Sequence, residues 1–114
     1  MALQLSETVR NARLDSIESA IGTSAILKIY DLTAGPPADC AAAIVGTILA
    51  TLTLDVDWMN DAASGIKTKK GTWSDTSADA SGTADFFRLF SSGGVTCHMQ
   101  GTVGQGTGDL SLDN

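Results

Sequence analysis

Thr47-Ile48-Leu49-Ala50-Thr51-Leu52-Thr53-Leu54 carries the clearest pattern in the chain. Ile48, Ala50, Leu52 and Leu54 recur at every second position, with Thr47, Thr51 and Thr53 between them. Successive strand side chains point to opposite faces, so this alternation predicts a half-buried antiparallel strand. Leu49 is the one exception. Upstream, Ala25 to Tyr30 is a compact β-prone run containing Ile26, Leu27, Ile29 and Tyr30. Thr33 to Ala43 contains Gly35-Pro36-Pro37 and reads as a loop, because proline cannot donate to a central ladder. Downstream, Phe86 to Phe90 and Val95 to Gln100 flank Ser91-Ser92-Gly93-Gly94, which predicts a hairpin with Phe86, Leu89, Val95 and Met99 in the core. Ile66 to Trp73 alternates without an apolar face and reads as an edge strand guarded by Lys67, Lys69 and Lys70, with Trp73 anchoring its end.

The remaining segments join these strands. Asp57 to Asp61 reads as a loop or single helical turn, Ser74 to Gly82 as a loop, and Gly101 to Gly108 as a flexible connection. Leu110 to Leu112 begins one more strand, and Asp113-Asn114 is a turn pair. Short strands with regular turn signals predict a mainly β fold, an antiparallel β-sandwich or jelly-roll-like barrel.

Residues 6 to 21 break this pattern and predict an α-helix. Ser6 can cap it, Glu7 suits the positive end of its dipole, and Gly22 can end it. Val9, Ala12, Leu14, Ile17, Ala20 and Ile21 form an apolar stripe that the domain's own sheet or another subunit must cover. The expected organisation is an amphipathic helix over 1–23 and a β-sandwich domain over 24–114. Leu14, Ile17, Ile21, Leu110 and Leu112 are the candidate interface residues. The helix residues offer an apolar face, and the last two sit on a strand edge that invites pairing with another chain.

With 114 residues, the chain has the length of one domain and can bury a core without metal or disulfides. Only 18% of its residues are charged, and a charge-poor surface hints at assembly, because interface cores are depleted of charge. A net charge of −6 and one small lysine cluster argue against a grip on nucleic-acid phosphates. No stretch reads as a signal peptide or membrane span, so no membrane partner is expected.

The candidate chemistry is sparse. His98 neighbours Cys97, but adjacent strand residues point apart, so the two make no nucleophilic dyad. Asp55, Asp57, Asn60 and Asp61 are oxygen-rich, yet their spacing is not that of a calcium loop, and a capped turn explains them better. The glycine-rich 101–108 run has neither the helix nor the lysine of a phosphate loop. Tyr30, Trp58, Trp73, Phe86, Phe87 and Phe90 read as core or, alternatively, as a sugar-stacking platform. No catalytic residue, cofactor or metal is expected, and the chain reads as a non-enzyme. Cys40 and Cys97 are two buried thiols or one disulfide. Synthesis in a reducing cytoplasm favours thiols first, and an oxidising medium outside the cell would permit the bond.

A series of segments resembles a family of small virion structural proteins of tailed bacteriophages and prophages. It runs from Met1-Ala-Leu-Gln-Leu-Ser, Val9-Arg-Asn-Ala, Leu14-Asp15 and Ile17-Glu18 through Pro37-Ala38-Asp39-Cys40-Ala41-Ala42, Asp57-Trp58-Met59 and Lys67 to Gly71-Thr72-Trp73. It continues at Ser81-Gly82-Thr83-Ala84, Phe87-Arg88, Thr96-Cys97-His98-Met99-Gln100-Gly101 and Gly108-Asp109-Leu110-Ser111-Leu112-Asp113-Asn114. The resemblance implies a structural subunit made in the host cytoplasm and located in the virion. Its partners would be itself and the major capsid or tail proteins. Small size suits a many-copy capsid decoration or cement protein. The alternatives are a tail-surface or tail-tip subunit, or a host-glycan-binding virion module. Proteins of this kind continue past Leu-Asp-Asn into another Thr-rich strand that this sequence does not contain. The resemblance therefore implies a short member, a β-domain whose terminal strand a neighbour supplies, or a domain that lacks this strand in the sequence given.

Overall fold

The computed structural model describes residues 3–31, 37–44 and 46–112. Gly35 and Pro36 of the expected loop, and the expected turn at Asp113-Asn114, lie outside the described residues. The fold is mainly β with one N-terminal helix. Its elements are α1 (Glu7–Ile21), β1 (Ile26–Asp31), β2 (Thr47–Thr53), β3 (Phe86–Phe90), β4 (Cys97–Gly104) and β5 (Leu110–Ser111). The strands make one curled five-stranded sheet in the order β2-β1-β3-β4-β5. The first three pairings are antiparallel, and β5 runs parallel to the end of β4.

Leu49, the exception in the alternating strand, has a structural cause. Ile29 pairs with Ala50 and Tyr30 with Ile48, so Leu49 is the extra residue of a β-bulge. The extra residue changes the phase of the strand: Ala50 and Leu52 stay opposite Ile29 and Leu27, Ile48 moves opposite Tyr30 on the other face instead of sharing the face of Ala50, and Leu49 itself is buried. A second register shift, at Leu89/Phe90, leaves His98 without a partner on β3.

Alternation along β1, β3 and β4 divides the interior into two layers. The larger contains Leu27, Ile29, Leu52, Leu54, Phe87, Leu89 and Val103, closed by Ile21, Ala25 and Trp58. On the opposite face Tyr30 and Phe86 stack with ring centroids 4.8 Å apart, and both are fully buried. All five residues of β3 are buried because both faces of this central strand are covered. The 37–44 loop contributes to the second cover: Pro37, Asp39 and Ala42 accept hydrogen bonds there from strand side chains.

The hairpin forms as expected, with Gly94 in the left-handed conformation (φ +71°) at its turn. Val95 does not join the core; it is 84% exposed at the tip. β4 runs on through Gly101 to Gly104, where a flexible connection was expected. A Cβ at Gly101 would come within 2.8 Å of the Phe87 ring, so glycine serves here as a close approach inside a strand.

The expected edge strand over 66–73 is an irregular excursion instead. Only isolated bridges occur there, Met59 with Lys69 and Ala63 with Ile66. Without an apolar face the segment gains nothing from sheet pairing, and Lys67 turns inward to α1 rather than guarding an edge.

Candidate interaction surfaces

The helix begins and ends where its sequence dictates. Ser6 Oγ accepts from the Val9 amide at 3.2 Å, and the Gly22 amide donates to Glu18 O at 2.8 Å. Its attachment is chiefly polar. Lys67 Nζ lies 2.7 Å from Asp15 Oδ1 and 3.2 Å from Glu18 Oε2, with its side chain only 7% exposed. The Ala62 amide donates to Asp15 Oδ1, the Gly65 amide to Asn11 Oδ1, and Trp58 Nε1 to Gly22 O. Burial disfavours the Lys67 charge, but the hydrogen bonds and charges of Asp15 and Glu18 outweigh it and raise its pKa above the usual lysine value. The Lys67 hydrogen bond first, and then the Ala62 amide, hold Asp15 below the usual carboxylate range.

Because these contacts use the polar residues of the helix, its apolar stripe is only partly covered. Ile21 is 5% exposed and belongs to the chain's own core, so burial removes it from the candidate interface residues. Ile17 is 39% exposed and Leu14 half-buried. Both line an apolar groove of about 270 Å³ between the helix and the sheet. Leu110, distant in sequence, lines the same groove, with Trp58, Trp73 and Met99 among its walls. Leu112 lies elsewhere, beside Leu49 and Val103, and packs against the core. Three of the five candidates thus converge on one surface, while Ile21 and Leu112 serve the interior.

The two sheet edges differ. The β2 edge is masked by the 75–80 loop: the Thr51 amide donates to Asp75 Oδ2, the Asp79 amide to Leu49 O, and Thr51 Oγ1 to Asp79 Oδ2. The Thr51 and Ser77 amides hold the Asp75 carboxyl below its ordinary range. At the opposite edge β5 offers only two residues. Asp109 ties it to β4 by accepting from the Thr102 amide at 3.0 Å and from Thr102 Oγ1 at 3.1 Å. These bonds lower the pKa of Asp109. β5 covers β4 only at Val103 and Gly104, so Cys97 to Gly101 have β3 as their one strand partner among the described residues.

Other candidate groups are structural in their contacts. Asp57 pairs with Lys70 at 2.6 Å, which lowers the carboxyl and raises the amine, and Asn60 donates to Thr68 Oγ1. Among the described residues, no three His, Cys, Asp or Glu side chains gather as metal ligands would. Trp58 is 3% exposed, and Tyr30, Phe86, Phe87 and Phe90 are buried, leaving the partly covered Trp73 as the most accessible tryptophan. Cys40 and Cys97 are free thiols whose sulfurs lie 2.6 Å apart.

The buried roles of two polar residues, Arg88 and Lys67, are not apparent from the sequence reading, which places Lys67 on a guarded edge. Arg88 is 3% exposed; its Nη2 donates to Asp39 O and Ala42 O at 2.9 Å each, and its Nε to Gln100 Oε1 at 3.1 Å. The signal was available, since an arginine inside Phe-Phe-Arg-Leu-Phe must be satisfied or expelled. Lys67 offered none, because its partners lie in a helix 52 and 49 residues earlier.

Compared with known protein families, curated proteins and solved structures, the chain matches none of them. Among the described residues, no helix is long and apolar enough to cross a membrane.

Proposed function

We propose that this chain is a structural subunit of a tailed-bacteriophage virion, acting as a capsid decoration protein that stabilises the particle through subunit contacts. The observation that carries the assembly role is the groove shared by Leu14, Ile17 and Leu110: an apolar surface between helix and sheet beside a sparsely paired strand edge. Apolar grooves of this kind bury favourably against another polypeptide. The virion setting comes from the sequence resemblance. Enzymatic chemistry draws little support: Asp15, Glu18, Asp57, Lys67 and Lys70 are engaged in ion pairs, and Asp75 and Asp109 in hydrogen bonds to the backbone.

A glycan-binding role draws less support from the ring positions. Sugar stacking needs exposed aromatic faces, and the aromatic residues are mainly core. The test is to purify virions from a lysate of cells carrying the gene, quantify the chain by mass spectrometry, and locate it in a map of the particle. Many copies on the capsid surface are expected. Absence from washed particles overturns the structural role, and copies confined to the tail overturn the decoration role.

A further inference from the structure

The 37–44 loop lies across the second face of the sheet, and three strand side chains reach it. Arg88 donates to the carbonyls of Asp39 and Ala42, Gln100 Nε2 donates to Pro37 O at 2.6 Å, and the Cys97 thiol meets Cys40. The Asp39 carboxylate also accepts from the Ala41 and Ala42 amides, which folds the backbone around Cys40 into a tight turn. Cys40 is thus held on both sides by contacts that do not involve its sulfur. Two sulfurs 2.6 Å apart are nearer than unbonded heavy atoms ordinarily rest, at ~3.5 Å or more.

We propose that Cys40 and Cys97 are an oxidation site: they form an intramolecular disulfide that latches the 37–44 loop over the Tyr30–Phe86–Arg88 face. The bond would enclose β2, the irregular 54–73 excursion and β3 in one covalent loop. Such closure stabilises a fold by restricting its unfolded chain.

The co-reactant is a low-molecular-weight disulfide such as oxidised glutathione. Burial, and then the adjoining Cys40, push the Cys97 thiol up to about 11, so it keeps its proton at neutral pH. Cys40, on the covering loop, takes the first step. Its thiolate, the proton having gone to water, attacks one sulfur of the small disulfide and expels the other half as a thiolate. Cys97 then gives its proton to solvent and attacks Cys40 Sγ, releasing the second small thiolate. Two electrons pass from the protein to the small disulfide, and two protons leave the cysteines. A reducing cytoplasm keeps the latch open, and release into an oxidising medium closes it.

The latch does not rest on the virion reading and is tested on the isolated full chain. The protein is treated with oxidised glutathione or with reductant, denatured without reductant, and probed with a thiol-alkylating reagent and by intact mass. Expected after oxidation are no labels, a mass lower by two hydrogens, no disulfide-linked dimer, slower proteolysis within 37–44, and a Tm about 10 °C or more above that of the reduced chain. Cys40→Ser should abolish the redox dependence of the Tm; wild-type protein compared with itself in the two states keeps the test decisive if that variant folds poorly. Two labels per oxidised chain, or bonds only between chains, overturn the site. A bond that leaves both Tm and cleavage unchanged overturns the latch.

Discussion

Arg88 and Tyr30 lie on the same face of the sheet, on adjacent strands, and show opposite ways of burying a polar group. The Arg88 guanidinium is satisfied by two loop carbonyls and a glutamine oxygen, so it joins a covering loop to a central strand. Replacing it with methionine keeps much of the volume but strips the Asp39 and Ala42 carbonyls of their donor. Arg88→Met is expected to destabilise the domain by about 3 kcal/mol and to speed proteolysis of the 37–44 loop; denaturant unfolding and limited digestion measure both. The Tyr30 hydroxyl is buried with no hydrogen-bond partner among the described residues, and burial raises its pKa. Tyr30→Phe keeps the stack on Phe86 while removing the orphan group. Stability should hold or rise by up to about 1 kcal/mol. A clear loss in the same unfolding experiment would show that the hydroxyl is satisfied.

Among the elements, legibility followed periodicity. The helix limits, the alternating β2 and the β3–β4 hairpin were readable because each carries a local signal: a cap, a period of two, a glycine turn. Even the misfit at Leu49 was visible, although only the pairing of Ile29 with Ala50 and Tyr30 with Ile48 reveals it as a bulge. The 66–73 segment was not readable, because alternation without an apolar face resembles an edge strand. What decides its shape is the distant pull of Asp15 and Glu18 on Lys67. The interface candidates were legible as residue types but not as a surface, since only the tertiary fold separates buried Ile21 from partly exposed Ile17. This separation gives a sharp test of the groove. Ile17→Asp alters a residue that is already 39% exposed, so the monomer's melting should change little, while self-association or incorporation into particles should fall. Analytical ultracentrifugation and particle binding are the measurements, and full binding by a folded variant would remove the groove from the assembly role.

At the scale of the molecule, the ionisable groups set a pH window with an asymmetric response. Asp15, Asp57, Asp75 and Asp109 all lie below the ordinary aspartate value of 3.8, held there chiefly by hydrogen bonds from Lys67, Lys70, the Thr51 amide and the Thr102 amide. A depressed folded pKa adds stability above the unfolded value, and that gain disappears as pH falls through the folded one. The acid limb of the Tm profile should therefore begin near pH 4. The alkaline side has the opposite sign. Cys97 is raised from 9.0 to about 11 by burial and then by Cys40, burial raises Tyr30 above 10.0, and Lys67 is raised above 10.5. A raised folded pKa gives stability that is complete below the unfolded value and is lost as pH climbs through the folded one. For the reduced chain the alkaline decline should thus begin near pH 9, where the Cys97 thiol of the unfolded chain ionises. Closing the proposed disulfide removes the thiol, leaving Tyr30 and Lys67 to set the limit, so the onset should move to about pH 10. Calorimetric Tm profiles of the oxidised and reduced chain across this range measure the difference. If the bond forms while the alkaline onset stays in place, Cys97 does not set that limit.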